Sequence, residues 1–167
     1  MRTGRLMTLA GVVMAVSLGA VAQERFTLKR EEAQTGSHIK REAATGNIPL
    51  DKPYRDFTPE QKRIVKKPYE NMKENDEPPF PEKGLAELYM TMSKVHAKVH
   101  ANGLVDMEVV VDPAGKPLNV LVYSSPDEKA SEIMAMALMA TKYKPALCSG
   151  QPCQQNFLFR AKLTPGY

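Results

Sequence analysis

The chain has 167 residues, of which 25% are charged and 43% hydrophobic, with no tryptophan and a net charge of +4. That length fits one domain with a tail. A balance so near neutrality gives no case for nucleic-acid binding, and two cysteines are too few for a disulfide-rich scaffold.

Arg2 and Arg5 give a short positive start, and Leu6 to Val21 is almost wholly apolar or small. Ala20-Val21-Ala22 supplies the small-x-small pattern of a secretory cleavage site, so residues 1–22 read as a signal peptide and Gln23 as the first mature residue. The alternative is an uncleaved anchor. The apolar run is about sixteen residues, short of the roughly twenty that span a bilayer as a helix. The predicted location is therefore the periplasm, with a membrane role only if the segment stays attached.

Residues 23–80 are polar and charged, with apolar residues occurring singly. Pro49, Pro53, Pro59, Pro68, Pro78 and Pro79 keep interrupting any regular element. One short helix is predicted, capped by Thr58, opened by Pro59 and running toward Lys67. The rest reads as an extended, solvated arm, with "NDEPPFPEKG" as the hinge.

The pattern changes at Gly84. Leu85, Leu88, Met92, Val95 and Val99 form one helical stripe, which Asn102-Gly103 should end. Val105, Met107, Val109 and Val111 then alternate with Asp106 and Glu108, as in a half-buried strand. Asp112-Pro113-Ala114-Gly115 is a turn, and "KPLNVLVYS" returns as its hairpin partner. A second helix follows, with Ser124 or Ser125 as cap, Pro126 at its start and Pro145 at its stop. Its predicted buried stripe is Ala130, Ile133, Met134, Ala137, Leu138 and Thr141. Finally Phe157, Phe159, Ala161 and Leu163 alternate inward along "QQNFLFRAKL". The fold class is α+β: a three-stranded ββαβ sheet covered by two helices over residues 84–163.

Cys148 and Cys153 bracket "SGQP", a turn just before the last strand. In an oxidising compartment a disulfide is the default for such a pair. A metal site would need two more ligands, and a redox catalyst would show Cys-x-x-Cys. His96 and His100 stand four apart on the first long helix, the spacing of a helical metal clip, but the repeated "KVHA" reads better as a solvated basic face. The methionines of "IMAMALM" offer a copper-binding surface or an adaptable core, and the core reading is preferred. Ser124 and Ser125 have no histidine near them in sequence, and no arrangement of residues suggests an enzyme or a bound cofactor.

In order, Gly103, the alternating strand, Asp112 with Gly115, Ser124-Ser125, Tyr143 with Pro145-Ala146, Gly150 with Pro152, and "NFLFRAKL" form a pattern. It resembles the TonB C-terminal domain family. The resemblance covers about half the chain, and these individually weak pieces in the right order make it fairly specific. It implies a periplasmic protein-interaction module whose last strand accepts an extended peptide by strand addition, the partner being a TonB-dependent outer-membrane receptor. The residues so implied are Asn156, Leu158, Arg160 and Lys162, with Arg160 and Lys162 also meeting acids on the partner. "EEAQTGSHIKR" in the arm resembles the "TGSRI" stretch of receptor plugs, though a plain polar turn is the simpler reading. Energy-transducing members keep an anchor and a proline-rich repeat spacer, and this chain departs from both. The alternatives are an anchored energy transducer and a soluble metal-handling protein using His96 and His100.

Overall fold

Alternation of apolar residues builds the three long strands that organise the molecule. The computed structural model describes residues 27–28 and 48–164. Strand β3 (Gly103–Val111) pairs antiparallel with β4 (Pro117–Ser124) on one side and β8 (Gln155–Leu163) on the other. A two-residue strand, β1 (Thr27–Leu28), pairs parallel with β4, giving the order β1-β4-β3-β8. The three predicted strands are present, and the chain is α+β.

Val105, Met107, Val109 and Val111 are fully buried, as the period of two requires. They meet Val120 and Val122 of β4 and Phe157, Phe159, Ala161 and Leu163 of β8 in one core. Two helices close that face, α2 (Ala86–Val99) and α3 (Glu128–Ala140), and pack on each other. The β3–β4 turn needs Gly115, whose φ is 81°. A Cβ there would lie 2.1 Å from the Tyr143 carbonyl oxygen. Asp112 Oδ1 fixes the same turn by accepting from the Ala114 and Lys116 amides at 2.8 and 2.9 Å.

Helix ends differ from expectation in two places. α2 ends at His100, which takes the left-handed conformation at φ 52° one turn before Gly103 is needed. α3 is capped by Asp127, not by Ser124 or Ser125: Asp127 Oδ1 accepts from the Ala130 amide at 2.7 Å. A carboxylate at a helix start also gains from the dipole, which favours it over serine. The buried face also differs from the predicted stripe: Ser131 and Ala135 are buried, while Ile133 and Ala137 are only half-buried.

The larger correction concerns the arm. Its predicted helix exists as α1 (Pro59–Lys66), where Thr58 and Gln61 form a reciprocal capping box. Residues 48–81, however, are not an extended, solvated arm but pack onto the sheet through a set of buried residues. Tyr54, Phe57, Tyr69 and Phe80 are buried, and Pro78, Pro79 and Pro81 almost completely so. Phe80 packs edge-on against Phe57 at 5.3 Å and against Phe157 of β8 at 6.0 Å. Strand β2 (Phe80–Pro81) pairs with β5 (Tyr143–Lys144). Lys144 ties the segment down further: its Nζ reaches Glu77 at 3.1 Å, the Pro78 carbonyl at 3.1 Å and the face of Tyr54 at 5.0 Å. Burial, opposed by Glu77, holds this ammonium below the usual lysine range. Residues 48–81 thus share one core with residues 84–163, across the boundary drawn at 84.

Candidate functional site

Strand β8 is an edge. Among the described strands it pairs only with β3, through a register from Gly103↔Leu163 to Val111↔Gln155. In an antiparallel ladder both main-chain groups of a residue point to one side, alternating along the strand. The Leu158 N–H donates to the Tyr69 hydroxyl at 3.4 Å. The Arg160 carbonyl accepts from the Tyr89 hydroxyl at 3.2 Å. The main chains of Leu158 and Arg160 therefore face away from β3. By alternation Asn156 and Lys162 do the same, so all four residues implied by the family resemblance are those whose backbone lines the edge.

Their side chains behave differently from that expectation. Arg160 was expected to meet acids on a partner. Instead its guanidinium pairs with Asp106 at 2.7 Å, with both side chains about nine-tenths buried (10% and 11% exposed). Asn156 donates to Glu108 Oε2 at 2.9 Å, and Tyr123 donates to the same oxygen at 3.3 Å. Only Lys162 is exposed. The reason is cross-strand geometry: Asp106 stands directly opposite Arg160, and opposite charges there satisfy each other.

Glu108 is 4% exposed, and burial raises its carboxyl above the usual range despite the Asn156 and Tyr123 hydrogen bonds. The folded chain thus holds this proton more tightly than the unfolded chain. Its contribution to stability falls as pH rises from the ordinary glutamate value of 4.5 through the raised one. We expect Glu108→Gln, which keeps an acceptor for both donors, to gain on the wild type across that window. Urea midpoints compared at pH 4 and pH 8 check this: the gap should be wider at pH 8, and an equal gap would contradict it.

Beside the edge, on the helix side, lies a groove of about 150 Å³. Ile48, Val65, Pro68, Leu85 and Tyr89 line it together with Phe157 to Arg160 of β8. Three of those, Ile48, Val65 and Pro68, come from the segment that the sequence assigned to a solvated arm. Tyr89 also stacks on Phe159 at 5.6 Å. Burial pushes the hydroxyls of Tyr69 and Tyr89 above the usual tyrosine range, so both stay protonated, Tyr69 accepting from Leu158 and Tyr89 donating to Arg160. At the far end, His96 Nε2 lies 2.8 Å from the Thr164 carbonyl oxygen. The edge is covered by side chains that imitate the polar groups of a neighbouring strand.

The other predicted sites resolve simply. Cys148 and Cys153 form a disulfide with a Cα separation of 5.8 Å. It links β6 (Ala146–Cys148) to β7 (Gln151–Cys153) across a turn at Ser149-Gly150. Asp76 Oδ1 steadies that turn by accepting from the Ser149 amide at 2.7 Å. His96 has its second ring nitrogen 3.0 Å from the Ala101 carbonyl oxygen, so both nitrogens face main-chain oxygens. His100 lies beyond the helix end. The pair is therefore not presented as a clip, and no cluster of three metal-ligating side chains occurs among the described residues. Met134 fills the core while Met136 is exposed, so the methionines do not share a face. The proposed signal peptide and the "TGSHI" stretch lie outside the described residues. No helix among the described residues is long and apolar enough to cross a membrane.

No protein-family model matches this chain, and no curated protein or solved structure matches it either.

Proposed function

We propose that this is a periplasmic protein-interaction module that binds an extended peptide along β8 by strand addition. The partner class is the one the sequence resemblance implies, a TonB-dependent outer-membrane receptor. The observation that carries the reading is the edge itself. β8 is nine residues long, and the other edge of the sheet already carries β1. Among the described residues no strand lies beyond β8, and two of its outward main-chain groups, the Leu158 N–H and the Arg160 carbonyl, are met by phenols. Such an edge invites pairing unless something blunts it, and an incoming strand would take over the two hydrogen bonds that Tyr69 and Tyr89 now make. The chemistry is recognition only. Among the described residues no acid–base pair or nucleophile lines the groove, and no reaction is assigned.

The test uses Leu158, because its N–H faces the edge and takes no part in the β3 ladder. Proline is tolerated in an edge strand at such a position but removes the donor. With a labelled receptor-plug peptide as probe, Leu158→Pro should weaken binding at least tenfold, while Leu158→Ala stays within about threefold. Equal affinities in two folded variants would show that β8 is not the docking edge.

A further inference from the structure

Cys148 and Cys153 tie a hairpin that stands outside the main sheet. β6 and β7 form a two-stranded sheet of their own, three residues to a strand. The turn places Ser149 at φ 51° and Gly150 at φ 82°, so a serine occupies a left-handed position that suits asparagine or glycine. A hairpin that short is marginal alone, and the disulfide is a covalent tie across it. Cys148 is exposed and Cys153 half-buried, which leaves the bond open to a thiolate from the Cys148 side. The hairpin grips the N-terminal segment. Glu77 and Leu147 exchange main-chain hydrogen bonds of 2.9 and 2.8 Å, and Asp76 accepts from the Ser149 amide at 2.7 Å. The loop carrying Asp76 and Glu77 is tied in turn to α1, where Lys66 Nζ donates to the Lys73 and Glu74 carbonyls at 2.9 and 2.7 Å. The Lys66 carbonyl accepts from the Tyr69 amide at 2.9 Å, and the Tyr69 hydroxyl meets Leu158 on β8. An unbroken run of contacts joins the disulfide to the cover of the edge.

We infer that the Cys148–Cys153 disulfide is a redox-sensitive clasp: its reduction by a dithiol releases residues 73–77 and loosens the Tyr69 cover of β8. A thiolate of the dithiol attacks the Cys148 sulfur, the S–S bond breaks, and Cys153 leaves as a thiolate. The dithiol's second thiolate then closes on its own sulfur in the mixed disulfide and expels Cys148. The chain gains two electrons and two protons as two thiols, and the dithiol gives up both in forming its own disulfide. With the tie gone, the hairpin depends on a three-residue ladder and a turn that serine fits poorly. Its hold on Asp76 and Glu77 weakens with it. The consequence for binding rests on the strand-addition reading, since a looser Tyr69 competes less for the Leu158 N–H. The clasp itself does not.

The experiment follows residue-resolved amide exchange in the full chain, oxidised and after dithiothreitol, with thiols counted by alkylation and mass spectrometry. Reduction should speed exchange at Glu77, Leu147 and Ser149 about tenfold and at Leu158 about threefold, with Phe157 and Phe159 of the β3 ladder unchanged. Lys66→Met cuts the link from the loop to α1. It should raise Leu158 exchange in the oxidised chain and make it indifferent to reduction, while Glu77 and Leu147 still respond. The labelled receptor-plug peptide should bind the reduced chain about threefold more tightly. A disulfide that survives dithiothreitol in the folded chain, or unchanged exchange at Glu77 and Leu147 after its reduction, would overturn the clasp. So would no rise at Leu158, or a rise there matched by Phe157 and Phe159, which reports unfolding. Equal peptide binding by the two forms would overturn the link from clasp to edge. Peptide binding absent in both forms, with the exchange pattern as expected, would overturn strand addition and leave the clasp standing.

Discussion

Phe80→Ala is expected to destabilise the chain by about 3–5 kcal/mol, the range for removing a buried aromatic ring. Phe80 is 2% exposed and stands where the N-terminal segment meets the sheet, touching Tyr54, Phe57 and Phe157. Alanine leaves a void that three rings from distant parts of the sequence cannot fill without moving the backbone. The edge-to-face contacts add a directional component beyond area. Urea unfolding followed by circular dichroism measures the cost. A loss below about 1 kcal/mol would mean that residues 48–81 are an appendage and that the folded unit begins near residue 84. The same contacts predict that a chain truncated to begin at Gly84 exposes Phe157 and fails to fold cooperatively.

The second large effect is at Arg160. Arg160→Ala should cost about 3–5 kcal/mol, since it strands the Asp106 carboxylate in a site where burial is nearly complete. Asp106 Oδ1 has no hydrogen-bond partner among the described residues, so the carboxylate depends on the guanidinium that holds Oδ2. Replacing both residues by leucine removes the buried charge as well as its partner and should cost far less than the single change. A double-mutant cycle in urea separates these terms. Near-neutral behaviour of Arg160→Ala would show the pair to be an ordinary surface contact. The change is also a poor control for peptide binding, because it disturbs the sheet as well as a charge, whereas Leu158 carries no such burden.

How much of this is legible in the sequence depends on the range of the interaction concerned. Alternation at Val105 to Val111 and at Phe157 to Leu163 is local, and it places both strands and their inward faces correctly. Thr58 and Pro59 mark a helix start locally, and the spacing of Cys148 and Cys153 across a turn marks the disulfide. Asp127 against Ser125 was a competition between two neighbouring caps, decided by the extra charge. The N-terminal segment was misread because Tyr54, Phe57, Tyr69 and Phe80 are isolated among prolines and follow no period. They are buried by contacts with β8 and β5, far along the chain, and no local pattern encodes that. The tyrosine cover of the edge is hidden for the same reason: Tyr69 and Leu158 are 89 residues apart, and Tyr89 and Arg160 are 71 apart. A lone tyrosine beside a proline gives no hint of it.

The same range argument separates what the sequence says of Asn156, Leu158, Arg160 and Lys162 from what it does not. Alternation identifies which backbone groups face outward. It does not identify the cross-strand acid, and so Arg160 was given to a partner when Asp106 already holds it.

Amide hydrogen exchange resolved by residue tests the central claim most directly. The strand-addition account predicts that the receptor-plug peptide slows exchange at Leu158 and Lys162, whose amides face the edge. Phe157 and Phe159, already bonded to β3, should not change, and neither should the amides of β4. Protection that appears instead at Leu121 and Val122 on the opposite edge, or no protection anywhere along β8, would contradict it.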